Sequence, residues 1–275
     1  MKPIIGKFEQ MGAQATIREG EALWIDVRRD RRGEFFVITR PRDVVLEVLD
    51  VQAKGRHLVL LARGQEKARF LCGHDERHWF VAAIPEDTPA TTVRAAKDAL
   101  KPTEVRNVEV GISTKAKDRR KTRARLRQGE WFFVPAPDFT PPAGVILRNE
   151  PLGRTRRGGW VGRPHIAEHM VRFGGEPIYL PEVPASELRA IGMTRRQVDQ
   201  RIGTGLNDEQ RRAFIDEFPA AGSWIWNQFI RDPEVYVRGR VRHPDHKTIV
   251  LRTWHRVAPN TELRARAMSN VAFID

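Results

Sequence analysis

Apolar positions in the first third of the chain fall in short, regularly spaced runs. Residues 23–27, 34–39, 44–51 and 57–61 cluster or alternate, with Arg32-Gly33, Lys54-Gly55 and Arg63-Gly64 between them. That spacing predicts an antiparallel meander. Residues 68–73 and 78–84 read as one more hairpin about a polar turn, with Cys72 opposite Trp79. A helix follows over 93–100, capped by Thr91 or Thr92 and stopped by Pro102, because Ala96, Ala99 and Leu100 share a face with Val93. Residues 105–112 look extended. After the prolines at 135, 137, 141 and 142 the period lengthens, and helices are expected over 165–173, 186–191, 194–202, 207–218 and 223–230. The chain then closes on a hairpin from 235 to 257. The expected fold is therefore α+β, with a β-rich antiparallel N-terminal half and a mainly helical C-terminal half ending in a β-hairpin. Three segments follow: a β-rich domain over 1–112 with one helix, a basic arm, buried strand and Pro-rich connector over 113–142, and an α+β domain over 143–275.

Composition narrows the class of protein. The 275 residues carry 40% hydrophobic positions, 7 Trp and 13 Phe, too much apolar material for a disordered chain. One cysteine, Cys72, excludes an internal disulfide framework and thiolate-rich zinc or iron–sulfur sites. No apolar run approaches membrane length and residues 1–10 hold no signal-peptide core, so no membrane partner is expected and the location is read as cytoplasmic. The 48 basic residues exceed the 35 acidic ones by 13, and 38 of them are arginine. Arginine's flat fork of donors grips phosphate and stacks on bases, which favours a polyanionic partner.

The basic residues are clustered. Lys115, Lys117, Arg119, Arg120, Lys121, Arg123, Arg125 and Arg127 share thirteen positions with a single acid, Asp118, and that composition predicts a surface arm. Arg154, Arg156 and Arg157 sit in a Gly-rich loop beside Trp160. Alternation in the last hairpin puts Val237, Val241 and Leu251 on one face and Tyr236, Arg238, Arg240, Arg242, Arg252, Trp254 and Arg256 on the other. Arginines interleaved with aromatic rings suit phosphates and unpaired bases, with Trp131, Trp160 and Trp254 as stacking candidates. The expected function is nucleic-acid binding, with RNA or single strands favoured, within a larger complex or alone, and without catalysis or a cofactor.

Two other readings use different residues. In His165-Ile-Ala-Glu168-His169, a helix would put His165 and His169 on one face with Glu168 beside them, the layout of a zinc-dependent hydrolase or nuclease. Residues 162–170 resemble the opening of the insulinase-type peptidase helix. That resemblance implies zinc on His165 and His169 and Glu168 as base, with a third acidic ligand for which Glu234 is the best spaced. The remaining reading is a structural subunit whose basic surface docks an acidic protein. Elsewhere, Cys72 and His78 point to opposite faces of their hairpin. His243 and His255 stand too far apart along the last strands to share an ion, which leaves His243 and His246 as neighbours.

Overall fold

A computed structural model describes residues 2–156 and 159–271, with the side chains of all but 2, 154–162 and 270. The chain divides into two compact units, Met1–Met170 with Val237–Asp275, and Val171–Tyr236.

The first unit opens with helix α1 (Lys2–Gln10) and strands β1 (Gln14–Glu19), β2 (Trp24–Asp30) and β3 (Gly33–Arg40). β2 and β3 form the expected hairpin. β1 joins the far side of β3 in parallel, giving the order β1-β3-β2. A four-stranded meander follows: β4 (Val45–Gln52), β5 (His57–Arg63), β6 (Lys67–Asp75) and β7 (His78–Ile84). One of its faces packs on the first sheet and α1 through Phe8, Phe36, Leu58, Leu60, Phe70 and Trp79. The other lies under helix α2 (Val93–Ala99), where Val59, Leu71 and Ala82 meet Val93 and Ala96. Burial on both faces explains why β5 is apolar without alternation, with only Arg63 exposed. Thr92 caps α2 as the sequence indicates. Residues 105–112, read as extended, instead begin in helix α3 (Thr103–Val108) behind Pro102, which occupies its N-cap.

Past the short helix α4 (Thr114–Lys117), strands β8 (Leu126–Gln128) and β9 (Trp131–Pro135) form a tight hairpin. They edge a six-stranded sheet completed by β10 (Leu147–Arg156), β11 (Gly159–Phe173), β14 (Glu234–Arg242) and β15 (Ile249–Pro259), in the order β10-β11-β14-β15-β9-β8. The second unit holds the antiparallel pair β12 (Glu176–Glu182) and β13 (Ile225–Arg231) with helices α5 (Ala185–Ala190), α6 (Arg195–Ile202) and α7 (Asp208–Glu217). Thr194 and Asn207 close capping boxes on α6 and α7, and Val198, Ile202, Phe214 and Trp224 form its core.

The C-terminal half is thus not mainly helical. α5, α6 and α7 stand where helices were expected, but residues 165–173 belong to β11 and residues 225–231 to β13. In β11, His165, Ala167 and Val171 are buried while Ile166 and Glu168 are only partly so, a period of two that the helical reading mistook for a period near four. Among the described residues no helix is long and apolar enough to cross a membrane.

Candidate functional site

The basic run does not behave as one arm. Arg125 is 2% exposed. Its Nε donates to Glu109 at 2.8 Å and its terminal nitrogens hold the carbonyls of Lys117 and Arg119 at 2.7 and 2.8 Å. Lys101 meets the other oxygen of the same buried carboxylate at 2.7 Å. Arg125 is therefore a structural pin, and the expectation that it faces a phosphate is corrected. This cation is buried because it satisfies one carboxylate and three main-chain acceptors that would otherwise be orphaned. Arg120 pairs with both Asp75 and Glu76, and Arg127 with Asp75. Burial works to raise the Asp75 pKa, but the guanidiniums of Arg127 and Arg120 hold it below the ordinary range. Lys115, Lys117, Arg119, Lys121 and Arg123 have no carboxylate partner among the described residues.

The last hairpin keeps its arginines on the surface and loses its aromatic platform. Arg238, Arg240, Arg242 and Arg252 are exposed, whereas Val237, Val241 and Leu251 are buried. Arg256 is half-buried. Trp254 is buried, packed edge-on against Phe139 at 5.8 Å and covered by the Arg238 guanidinium at 5.0 Å. Trp131 is buried as well. Neither ring offers a face on which a base could stack, because the connector after β9 covers one and the sheet core takes the other. The side chains of Arg154, Arg156 and Trp160, and Arg157 altogether, lie outside the described residues.

The H-x-x-E-H segment also changes character. On a strand, His165 and His169 share a face but stand about 13 Å apart at ~3.3 Å per residue, so one ion cannot bridge them. Glu168 points to the opposite face and accepts the Arg240 backbone N–H at 2.8 Å, the bond that chiefly lowers its pKa. Glu234 lies in the second unit. The likeness to a peptidase helix therefore fails on secondary structure, and His169 and Glu168 leave the candidate site.

His165 instead meets two residues from the turn between β14 and β15. One ligand nitrogen of each of His165, His243 and His246 lies within 4.8 Å of the others. The rings stack, with centroids 4.3 Å apart for His165–His243 and 5.4 Å for His165–His246. The turn is carried there by specific bonds. Gln128 donates to the Lys247 carbonyl at 2.7 Å, and Lys247 N–H donates to Glu76 at 2.8 Å. His243 Nε2 sits 3.0 Å from the Arg163 carbonyl, and its Nδ1 accepts the Asp245 N–H at 3.2 Å, which places its ring hydrogen on Nε2. His165 Nε2 and His246 Nδ1 are buried without any hydrogen-bond partner. Burial, reinforced by the neighbouring His243 and His246 rings, lowers the His165 pKa to about 3, and burial likewise lowers His246. Gly129, at φ +57° in the β8–β9 turn, faces the cluster: a Cβ there would stand 2.9 Å from His246 Nε2 and 3.5 Å from His165 Cε1.

His243 and His246 line a cavity of about 640 Å³ whose wall carries nine lysines and arginines against six carboxylates. Lys117, Arg119 and Arg163 are on that wall without a carboxylate partner among the described residues. His78 is there too, between Glu34, on its Nδ1, and Asp245, 3.6 Å from its Nε2. Glu34 also accepts the Trp79 N–H at 2.9 Å, which fixes its carboxylate. The residues 72–78 hairpin is registered two residues from the sequence reading, with Cys72 opposite Val81 and Asp75 opposite His78. That register brings Asp75 and His78 side by side at the cavity. Cys72 is buried and its thiol pKa is pushed up by burial, so it takes no part. Sequence reasoning found His243 and His246 as neighbours but could not attach His165 to them, since the link is a strand pairing across some eighty residues. No family model, curated protein or solved structure matches the chain.

Proposed function

We propose that the protein binds nucleic acid, drawing the phosphate backbone of a single strand to the basic cavity of the first unit. The observation that carries this reading is the excess of cations on the cavity wall, where Lys117, Arg119 and Arg163 lack a carboxylate partner among the described residues. Unpaired cations gathered about one cavity repel each other, and a chain of phosphates relieves that repulsion while releasing its own counter-ions. A volume near 640 Å³ admits a nucleotide or a short single-stranded stretch and is too small for a duplex about 20 Å across. The exposed Arg238, Arg240, Arg242 and Arg252 extend the basic surface of the same unit. Binding is to phosphate, with Trp131 and Trp254 buried in the fold.

The test is fluorescence anisotropy with labelled single-stranded RNA, single-stranded DNA and duplex across a salt series. Single strands bind more tightly than duplex, and affinity falls steeply with salt. Lys117→Ala/Arg119→Ala lowers the slope by about 0.7 for each phosphate that the variant no longer neutralises. Arg123→Ala serves as a control outside the cavity wall. No binding of any of the three at about 50 mM salt, where neutralised phosphates weigh most, refutes the reading.

A further inference from the structure

We propose that His165, His243 and His246 form a binding site for one zinc-class divalent cation, whose remaining coordination position opens on the basic cavity and directs water at a phosphodiester. The second half of this proposal rests on the nucleic-acid reading; the first does not.

Five observations converge on the cation. The three ligand nitrogens already lie within 4.8 Å of one another. His165 is 2% exposed, and its Nε2 has no hydrogen-bond partner. A buried imidazole nitrogen without a donor or acceptor is unusual in a packed interior, and a bound ion is one of the few things that satisfies a lone pair there. The His243 ring is already oriented as ligating histidines are, with Nε2–H on the Arg163 carbonyl and the lone pair of Nδ1 held only by a 3.2 Å bond. Behind His246, the Glu76 carboxylate stands 3.8 Å from Nδ1, the place of an outer-shell acid that raises ligand basicity. Finally, Gly129 keeps the space beside His246 and His165 free of a side chain.

Three imidazoles with no carboxylate among them favour zinc, cobalt or nickel over magnesium or calcium, which require oxygen. Three protein ligands leave a fourth position for water, as in catalytic rather than structural zinc sites. His243 and His246 line the cavity, so that position faces the unpaired cations. The reaction is hydrolysis: the oxygen of the metal-held water forms a bond to phosphorus as the ester P–O bond breaks. The water's proton goes to solvent and the leaving oxygen takes one from solvent, giving a phosphate monoester and an alcohol.

The test begins with full-length protein stripped by chelator and dialysed against zinc alone. It binds one zinc per chain, magnesium does not compete, and cobalt in its place gives the intense visible bands of a tetrahedral nitrogen site. His246→Gln, in the β14–β15 turn, and His243→Asn each weaken zinc by at least about a hundredfold. Gly129→Asn, which tolerates the positive φ and keeps every ligand, weakens it too, while His169→Ala and His255→Gln leave it intact. No stoichiometric zinc on the wild-type chain, or wild-type affinity in both His243→Asn and His246→Gln, overturns the site. The zinc-loaded chain hydrolyses bis(4-nitrophenyl) phosphate, a diester that needs no nucleic-acid surface, and the stripped chain does not. Zinc bound without turnover of that diester overturns the hydrolytic half. Zinc and turnover without affinity for oligonucleotides upholds the metal centre and removes the nucleic-acid reading alone.

Discussion

Replacing Glu109 by glutamine is the sharpest probe of how the basic run is held. The carboxylate is 1% exposed and serves two cations, Lys101 at 2.7 Å and Arg125 at 2.8 Å, whose side chains are themselves almost wholly buried. Neutralising it without changing its shape leaves the buried Arg125 without a carboxylate and Lys101 with Asp98 alone, at 2.7 Å. Breaking a buried pair by removing one partner costs about 3–5 kcal/mol, mostly the desolvation of the charge left behind. Arg125 retains its bonds to the carbonyls of Lys117, Arg119 and Arg120, and burial already weighs against its charged form, so the cost belongs in that range. For a cooperative unit of this size, about 2–4 °C accompanies each kcal/mol, so the midpoint falls by roughly 6–20 °C. Urea unfolding followed by circular dichroism, with the slope checked for constancy, measures it. Because Arg125 pins the main chain of 117–120, the variant also loosens Lys117 and Arg119 and lowers nucleic-acid affinity at temperatures where it remains folded. A loss under about 1 kcal/mol refutes the reasoning, since it means Lys101 and Arg125 do not depend on this carboxylate.

Other perturbations test other joints of the structure. Asp75→Asn releases Arg127 from its counter-ion while Arg120 keeps Glu76, so it should tighten single-strand binding and steepen the salt slope by about 0.7 for the one guanidinium freed. Weakened binding in the anisotropy series contradicts that. His57 has its pKa lowered from 6.5 to about 4, chiefly by burial. Between those values the unfolded chain takes a proton that the folded chain refuses, so this contribution is complete above pH 6.5 and lost as pH falls to 4. The stability gap between wild type and His57→Gln should narrow by about 3 kcal/mol from about pH 7 to 4, and a constant gap in urea titrations argues against it. Phe36→Ala, at a fully buried ring packed on Phe8 and Trp79, should cost about 3–5 kcal/mol in the same assay. Asn207→Ala opens the capping box of α7 and should cost about 1 kcal/mol, seen as faster amide exchange in α7.

What could be read from the sequence followed from local chemistry. The β2–β3 hairpin, the meander and the caps on α2, α6 and α7 rest on side chains within a few residues of the bonds they make: Thr92 reaches Ala95, and Asn207 reaches Gln210. The alternation of Val237 and Val241 with Arg238, Arg240 and Arg242 likewise marks the inner and outer faces of the last hairpin. Residues 165–173 and 225–231 misled because a short apolar run satisfies either period, and only the neighbouring strands decide between them. α1 and the parallel strand β1 carry no comparable local signal. Arg125 was invisible as a pin because nothing near it distinguishes it from Arg123; the difference is Glu109, sixteen residues back.

The candidate site shows the same limit in its strongest form, since every element in it is brought in from a distant part of the chain. Residues 74–78 supply Asp75, Glu76 and His78, the β8–β9 hairpin supplies Gln128 and Gly129, β11 supplies His165, and the β14–β15 turn supplies His243, Asp245 and His246. Two hydrogen bonds, from Gln128 to the Lys247 carbonyl and from Lys247 N–H to Glu76, tie the last turn to the other elements. Glu76 and Asp75 at the same time neutralise Arg120 and Arg127. One hairpin tip therefore sets both the position of the histidine turn and which members of the basic run stay unpaired. The carboxylates occupied there by Arg120 and Arg127 leave Lys117 and Arg119 uncompensated, and those two cations line the cavity that His243 and His246 also face. The histidine cluster and the surplus of positive charge are for that reason two consequences of a single docking of residues 74–78 against the β14–β15 turn.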